Sequence, residues 1–400
     1  MTVEFRQARD EDELVEAYRA ISTTFGDEAE ERDIERAKRI MPVDRVHVAL
    51  DGAGVVGVAA SHAFSMTVPG GELPAGGVTW VAVLPSHRRQ GVATGLMRSQ
   101  IDDLRERGEP LAILWASESL IYGRFGYGMA APVHALHAVK SRFAFRDDPG
   151  PVGATRLVTR DEALELFPPI HERVRTERAG MLSRTRDFWY EERLYAGPGP
   201  PGTSPRFFAV FELDGVPEGY ATYRLRDRWD EGIPHGSVMV VEALGTSPVA
   251  TREIWRYLFG IDLREEVDYE FMDPAFPLFL GVTDPRRLRV RLTDGLWLRL
   301  VDVGAALAGR SWAADDSLVL RLRDEFCPWN DGCYRTDGQR VDDEPDLALG
   351  AADLASAYLG GFDVNVLAQA GRVAELTPGA VARASAMFRT PLPPYCPEVF

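Results

Sequence analysis

The sequence of 400 residues has only three cysteines, and this scarcity excludes a disulfide-based fold. Cys327, Cys333 and Cys396 are too few for a disulfide framework, and no Cys-x-x-Cys pair is present to hold zinc. The seven histidines are scattered, and His134 and His137 lack the helical spacing and the third ligand of a metal centre. We therefore expect reduced thiols, a cytoplasmic protein and no metal site.

Positive charge is also scarce: 45 Lys and Arg residues stand against 61 Asp and Glu residues, which gives a formal net charge of -16. A nucleic-acid-binding protein normally carries a basic surface, so this balance argues against a nucleic-acid partner. No run of about 18 apolar residues is present to span a membrane. An acidic surface keeps a protein soluble, and it also attracts cationic substrates.

Hydrophobic periodicity divides the chain into three regions. Residues 1–148 predict an α+β domain with the order β-α-β-β-β-α-β-α-β. One helix begins after Asp10, with Leu14, Ala17, Tyr18 and Ile21 on its apolar face. A linker rich in Asp, Pro and Gly follows at 147–151.

Residues 152–284 repeat the plan of the first domain without its polar motifs. Strands are predicted at 207–211, 220–223 and 238–244, and a helix at 251–258, but the loop 245–249 has no arginine. We interpret this region as a degenerate duplicate; the alternative is an unrelated α+β domain. In residues 285–400 we predict strands at 288–292, 296–303 and 318–323, then helices at 351–359 and 364–368. Prolines make the tail 390–400 extended.

The most informative motif lies between the strand 78–83 and the amphipathic helix that follows it. It comprises Arg88, Arg89, Gln90, Gly91, Val92, Ala93 and Thr94. The first turn of a helix offers unpaired N–H groups to a phosphate, small residues allow a close approach, and arginines add charge. The alternative is an ordinary tight turn. No Gly-Lys-Ser or Gly-Lys-Thr is present, so this is not a Walker loop.

A second motif, Ile121-Tyr122-Gly123-Arg124-Phe125-Gly126-Tyr127, contains two tyrosines. A well-placed phenol can donate a proton to a departing thiolate. Tyr122 is our candidate general acid, and Tyr127 is the competing one. The alternative is that Tyr122 only packs on a short helix.

These motifs resemble the GNAT acetyltransferase superfamily. Taken whole, the chain is similar to the Eis (enhanced intracellular survival) acetyltransferases, on pieces that include Trp80-Val81-Ala82-Val83, Ser117-Glu118, Gly180-Met181-Leu182-Ser183-Arg184 and Pro328-Trp329-Asn330. The resemblance implies an α+β (mixed) protein of two tandem GNAT folds, the second degenerate, and a sterol-carrier-like domain. It places these domains at 1–148, 152–284 and 285–400, with the tail reaching the active site.

The resemblance also implies a site. Acetyl-CoA would lie between the strands 78–83 and 111–116, bound by Val81, Ala82 and Val83, by the 88–94 loop, and by Ser117 and Glu118. Tyr122 would protonate the leaving thiolate, and the terminal carboxylate of Phe400 would be the base, with Glu398 as its rival. The alternative for Phe400 is a frayed chain end.

The substrate implied by the resemblance is a cationic amine such as an aminoglycoside. Residues that could attract or stack on it are Phe25, Asp27, Glu28, Trp80 and Glu398; the acidic ones are equally typical of a solvated helix face. Lysine side chains or other small amines are alternative acceptors, and a catalytically dead scaffold that binds CoA or lipid is the alternative outside enzymes. Family members assemble as homohexamers, trimers of dimers.

Overall fold

The computed structural model describes residues 3–52, 54–195 and 197–400. They form two compact units. The first contains the described residues up to Ala131 together with Gly295–Pro391 and Val399–Phe400. The second contains Pro132–Asp294 and Leu392–Glu398. Ala53, in the predicted turn after the second strand, lies outside the described residues.

Strands and helices are numbered separately, each in chain order. The strands are β1 Glu4–Gln7, β2 Val46–Leu50, β3 Val55–Val68, β4 Gly71–Val83, β5 Leu111–Trp115, β6 Gly128–Val139, β7 Ala154–Val158, β8 Phe207–Leu213, β9 Val216–Arg226, β10 Trp229–Asp230, β11 Ile233–Pro234, β12 Gly236–Gly245, β13 Arg264–Met272, β14 Arg291–Leu300, β15 Val319–Arg323, β16 Gly332–Arg335, β17 Arg340–Val341, β18 Leu347–Gly350 and β19 Val373–Glu375. The helices are α1 Glu11–Phe25, α2 Glu31–Ile40, α3 Val92–Glu106, α4 Ser119–Tyr122, α5 Arg160–Arg175, α6 Arg186–Phe188, α7 Pro248–Gly260, α8 Leu278–Gly281, α9 Val303–Ala308, α10 Ala351–Tyr358, α11 Val364–Gln369 and α12 Ala380–Phe388.

In the first unit the main sheet has the order β1-β2-β3-β4-β5-β14. The pairing is antiparallel except between β4 and β5, which run parallel. Parallel neighbours need a crossover connection, and α3 supplies it. The side chains of α3 that face the sheet are all buried: Val92, Leu96, Met97, Ile101 and Leu104. Burial of such side chains stabilises the fold by about 1.5–3 kcal/mol each.

Helix α1 begins where the sequence predicts it. The side chain of Asp10 accepts a hydrogen bond from the backbone N–H of Glu13 at 3.0 Å, which satisfies one of the unpaired N–H groups of the first turn. Leu14, Ala17 and Ile21 are buried, as their spacing predicts. Gly26, with φ 82°, ends the helix in the left-handed conformation.

In the second unit the sheet has the order β6-β13-β12-β9-β8-β7, with β12 and β13 parallel. The predicted hairpin is β8–β9, and the predicted helix is α7, which packs Ile254, Trp255 and Leu258 into the core of this unit. The strand, helix and strand β12-α7-β13 therefore repeat the plan of β4-α3-β5, as the sequence predicts for a duplicated domain.

The third domain adds a separate sheet of order β17-β16-β15-β18-β19, with α9 to α12 around it. The prediction of a strand at 288–292 is correct only for its last two residues, which begin β14, and is wrong for 288–290. Pro285–Leu288 forms a 3-10 turn, and Arg289, with φ 45°, stands in the left-handed region, which interrupts an extended chain before β14 begins at Arg291. The tail beyond α12 has no helix or strand, as its prolines predict. Among the described residues no helix is both long and apolar enough to cross a membrane.

Candidate active site

Strands β4 and β5 separate from each other part-way along their length. They are paired from Ala75↔Leu111 to Gly77↔Ile113, and no pairing continues beyond Gly77 although β4 runs on to Val83. The free edge of β5 is taken by β14, with Leu296 opposite Trp115. The edge of β4 over residues 78–83 is therefore left open within the first unit, which is the splay that the family resemblance predicts.

A bulge in β4 shapes this open edge. The register between β3 and β4 shifts between Val58 and Ala60, and Trp80 has φ 56°, which is rare for a bulky residue. The N–H of Leu84 donates to the carbonyl oxygen of Val56 at 2.9 Å, so Leu84 faces β3. Peptide groups alternate between the two edges of a strand, so those of Val81 and Val83 face the open edge.

The loop after β4 is the one in which the sequence predicts a phosphate site. Gly91 has φ 83°, and α3 begins directly after it without a capping hydrogen bond from the side chain of any described residue, so the first N–H groups of α3 are available. Arg88, Arg89 and Gln90 are exposed, and Arg88 Nε also donates to the carbonyl oxygen of Val83 at 3.4 Å. Of the remaining loop residues, Val92 is buried, Ala93 is half-buried and Thr94 is exposed.

Two hydrogen bonds fix the base of this loop. His87 Nε2 lies 2.8 Å from Oδ2 of Asp51, and the amide of Gln90 donates to the carbonyl oxygen of Ser86 at 3.1 Å. The corresponding loop of the second unit is different. There the side chain of Ser247 caps α7 by accepting from Ala250 N at 3.1 Å, so the start of α7 is already satisfied by its own chain.

Tyr122 ends α4 and is buried, with 5% of its surface exposed. Burial raises the pKa of Tyr122, and a hydrogen bond with Ser117 lowers it in part. The phenol therefore keeps its proton at neutral pH. Ser117 and Glu118, which follow β5, are exposed.

Tyr127, the competing tyrosine, is a core residue. It is completely buried, its ring lies 6.0 Å from that of Tyr122, and burial raises its pKa strongly. Its hydroxyl has no hydrogen-bond partner among the described residues.

Phe400 belongs to the first unit and lies at the point where β4 and β5 separate. Its ring centroid is 5.2 Å from that of Phe64 and 6.2 Å from that of His62, and its Cε2 would lie 3.2 Å from a Cβ on Gly77. His62 was not predicted as a site residue. Its pKa is lowered to about 4 by burial, so it is neutral at pH 7.

Comparison with known proteins places this geometry in a family. Acetyltransferase (GNAT) domain models match residues 4–130 and 180–300, and a sterol carrier protein domain model matches 303–397. The chain is 38% identical, over the full length of both chains, to an uncharacterized N-acetyltransferase of Streptomyces avermitilis. It is 34% identical to the N-acetyltransferase Eis of Mycobacterium tuberculosis, over 89% of each chain. The chain belongs to the Eis family of GNAT N-acetyltransferases.

Solved structures agree with this relation. The crystal structure of Eis1 from Mycobacterium abscessus is 28% identical and matches this Eis-family chain with a TM-score of 0.87 over all of both chains. A GCN5-related N-acetyltransferase from Anabaena variabilis matches with a TM-score of 0.84 over the full length of both at 17% identity, which shows the fold alone. The predicted architecture of two GNAT domains and a sterol-carrier-like domain is thereby confirmed, and the Eis-family chain is an N-acetyltransferase.

The residues predicted to meet the amine lie in two places. In the first unit, Phe25 ends α1 with 60% of its surface exposed, and Asp27 and Glu28 are exposed in the loop that follows. Neither carboxylate forms an ion pair with another described residue. Trp80 is half-buried and stacks edge-on against Tyr18, with ring centroids 5.4 Å apart.

The structure contradicts the prediction that Glu398, a residue of the second unit, lines the amine pocket. Glu398 is fully buried, and Arg184 Nε donates to its Oε1 at 2.7 Å. A fully buried carboxylate whose charge is balanced by a buried arginine is neither accessible nor electrostatically available to an amine. For the same reason it is a poor rival for the role of base.

One histidine of the second unit lies beside two carboxylates. His137 and Asp268 are opposite each other on β6 and β13, with Nδ1 2.5 Å from Oδ1 of Asp268, and His137 Nε2 is 3.4 Å from Oε1 of Glu266. One ligand atom from each of His137, Glu266 and Asp268 lies within 4.8 Å of the others, a spacing that a metal ion could bridge, although exposed acidic groups commonly lie this close without one.

Proposed function

We propose that this chain transfers the acetyl group of acetyl-CoA directly to a primary amine of a small cationic substrate, with aminoglycosides as the favoured class. The observation that carries this proposal is the open edge of β4 over 78–83. At one end of that edge is the uncapped start of α3, and at the other is Phe400 against Gly77. The edge suits an extended pantetheine arm between a phosphate site and a reaction centre.

GNAT acetyltransferases use acetyl-CoA as donor, and we assign its binding to this edge. The peptide groups of Val81 and Val83, which face the open edge, would bind the pantetheine amides. The peptide group of Ala82 faces β3 and keeps β4 in register with it. The pyrophosphate would accept hydrogen bonds from the first turn of α3, from Val92 to Thr94, with Arg88 and Arg89 adding charge. Gln90 and Gly91 shape the loop, and Ser117 and Glu118 would flank the thioester.

The amine must lose a proton before it can attack. We assign this proton to the terminal carboxylate of Phe400. An ordinary α-carboxyl has a pKa of about 3.5 and an alkylammonium about 10, so the transfer needs desolvation of the carboxylate or a relay through water. The apolar ring of Phe64 and the buried, neutral ring of His62, which both pack against the ring of Phe400, favour desolvation.

The acetyl transfer then has two bond changes. The amine nitrogen attacks the thioester carbon, and a backbone N–H of the open β4 edge stabilises the oxyanion. When the C–S bond breaks, Tyr122 donates its phenolic proton to the CoA thiolate, and the second proton of the attacking nitrogen restores the phenol, so that the products are the neutral amide and free CoA. No covalent acyl-enzyme is required by this sequence of steps.

The acceptor side supports a cationic substrate. Asp27 and Glu28 are exposed and unpaired with other described residues, and Trp80 offers an aromatic face. A lysine side chain or another small amine shares the same chemistry and is the alternative acceptor. Because Ser247 satisfies the start of α7, we propose a single acetyl-CoA site per chain.

From the family relation we also propose the assembly and the location. We expect a cytoplasmic homohexamer built as a trimer of dimers, with neither nucleic acid nor a membrane as partner. Light scattering on a size-exclusion column measures the assembly directly: a mass of about six times 44.3 kDa supports it, and a monomer contradicts it.

A thiol-release assay with acetyl-CoA tests the proposed substrate class. We expect turnover with aminoglycosides and at least tenfold lower kcat/KM with polyamines and lysine-containing peptides, a difference of about 1.4 kcal/mol in transition-state binding. The reverse order would favour the alternative acceptors. If acetyl-CoA binds but no amine is acetylated, the result would favour the alternative of a CoA-binding scaffold without catalysis.

Two variants test the mechanism. Extending the chain beyond Phe400 should abolish turnover while acetyl-CoA still binds, and full activity of the extended chain would overturn the base. Tyr122→Phe should lower kcat by about a hundredfold with little change in KM for acetyl-CoA. Tyr127→Phe is the matched control, since its buried hydroxyl has no partner to lose among the described residues.

A further inference from the structure

Four charged side chains form a buried cluster in the second unit. Arg184 and Arg193 face Glu242 and Glu398. Arg184 Nη2 lies 2.6 Å from an oxygen of each glutamate, and Arg193 Nη2 lies 3.1 Å from Oε1 of Glu242. The side chains of Arg184 and Glu398 are completely buried. None of these four residues has a place in the mechanism above.

Two positive and two negative charges balance in this cluster. His171 Nε2, 3.6 Å from Glu398, adds no charge because burial, followed by Arg184, lowers its pKa. Burial alone raises the pKa of Glu398, but Arg184 and His171 offset this and lower it to about 2. Glu398 is therefore ionised at neutral pH, and Arg184 joins it to Glu242. Removal of one member leaves an uncompensated buried charge.

The residues before Glu398 are fixed to the same unit. The N–H of Tyr395 donates to the carbonyl oxygen of Ala179 at 2.9 Å, and its hydroxyl donates to the carbonyl oxygen of Phe271 at 2.7 Å. Arg178 Nε donates to the carbonyl oxygen of Pro393 at 2.7 Å. The tail 393–398 is thus held along its length, with Arg184 at the end nearest Phe400.

The segment Gly180-Met181-Leu182-Ser183-Arg184 explains how Arg184 reaches the tail. Gly180 has φ 93°, and a Cβ there would lie 2.9 Å from the carbonyl oxygen of Tyr395, so the backbone can pass the tail only without a side chain. Met181 and Leu182 are buried in the core. The chain then delivers Arg184 to Glu398.

We propose that Arg184 is a positioning residue for acetyl transfer: by holding Glu398 it fixes where the carboxylate of Phe400 lies. Two residues span at most about 7 Å, so an anchored Glu398 confines the terminal carboxylate to a small volume. This inference rests on the proposed function, in which that carboxylate is the base. A misplaced base costs rate, because proton transfer needs hydrogen-bond distance.

The experiment compares three variants with the wild type. Glu398→Gln leaves one buried positive charge uncompensated but keeps the shape of the side chain and the pairing of Arg184 with Glu242, so it is the milder change; Arg184→Met, which removes the arginine from both glutamates, is the stronger one. Arg186→Met is the matched control, because Arg186 and its partner Glu165 are both about two-thirds exposed. Thermal unfolding establishes which variants are folded.

Two readouts are measured on the full-length proteins: steady-state kinetics, and the rate at which carboxypeptidase A releases phenylalanine from the chain end. For Glu398→Gln we expect kcat to fall at least tenfold with KM for acetyl-CoA within twofold, and phenylalanine release to accelerate at least tenfold. Arg186→Met should match the wild type in both. A merely structural loss would lower kcat and acetyl-CoA binding together.

Wild-type kcat in Glu398→Gln overturns the proposal, whatever the rate of phenylalanine release. Unchanged phenylalanine release also overturns it, because the tail would then be held without Glu398. Failure of the base assignment has a different signature: the chain extended beyond Phe400 would remain active while release from Glu398→Gln is still faster. If the extended chain is inactive and Glu398→Gln behaves as wild type, the positioning role alone is rejected.

Discussion

Arg299 donates through Nη1 to the carbonyl oxygen of Phe125 at 2.7 Å, three residues after Tyr122. Arg299 is completely buried and also forms an ion pair with Asp324. The next residue, Gly126, has φ 80°, and a Cβ there would lie only 1.4 Å from Nη1 of Arg299. A buried arginine thus holds the turn that follows the candidate acid.

This relationship predicts the effect of a methyl group at Gly126. Gly126→Ala should lower the free energy of unfolding by at least about 2 kcal/mol, because the left-handed backbone disfavours alanine and the methyl group displaces Arg299. It should also lower kcat, since Tyr122 shifts with the turn. Urea unfolding and steady-state kinetics measure the two effects.

Gly123→Ala is the control for this change. A Cβ at Gly123 has no neighbour within 4 Å, and its φ of -56° suits any residue. Equal stability of the two variants would mean that the turn does not depend on Arg299.

The phosphate loop predicts an electrostatic effect on donor binding. Arg89→Ala should raise KM for acetyl-CoA about tenfold with kcat nearly unchanged, because a hydrogen bond to a charged phosphate contributes about 1.5–3 kcal/mol. The increase of KM with added salt should be weaker than in the wild type. Arg286→Ala, at another exposed arginine, is the control and should leave both quantities unaltered. An unchanged KM in Arg89→Ala would remove Arg89 from the site.

His62 predicts a pH-dependent loss of stability. Its pKa is about 4 in the folded chain against 6.5 for an ordinary histidine, so the unfolded chain binds a proton first as the pH falls. The contribution of neutral His62 to the free energy of unfolding is complete above pH 6.5. It is lost between pH 6.5 and 4, by about 3 kcal/mol in total. The free energy of unfolding of His62→Gln should fall less over this interval. If the free energies of unfolding of the two proteins fall in parallel as the pH decreases, the low pKa of His62 in the folded chain is contradicted.

The sequence predicts most of what is local in the chain. The Asp10 cap, the buried face of α3, the loop at Gly91 and the duplicated plan of β12-α7-β13 all depend on neighbouring residues. The exposure of Asp27 and Phe25 at the end of α1 also follows from the local helical pattern. Their roles in binding an amine remain predictions.

The contacts that the sequence could not predict join distant residues. Arg184 and Glu398 are 214 positions apart, and Arg299 and Phe125 are 174 apart. The sequence around an arginine does not reveal whether its side chain will be buried, as that of Arg184 is. The sequence around Trp80 does not reveal its positive φ either, because the tertiary structure imposes both. The sequence does not mark His62 as a site residue, because its partners on β4 and at the chain end become its neighbours only when the strands pair.

Two anchors of the tail, Tyr395 and Glu398, lie only three residues apart. Tyr395 reaches Tyr269 and Phe271, and Glu398 reaches Arg184. An insertion or deletion between the anchors would carry one of them out of reach, whereas the residues at 396 and 397 can change without altering the span. Evolution of this segment is therefore constrained in length more than in identity, and the gain or loss of one residue there would be far more harmful than a substitution.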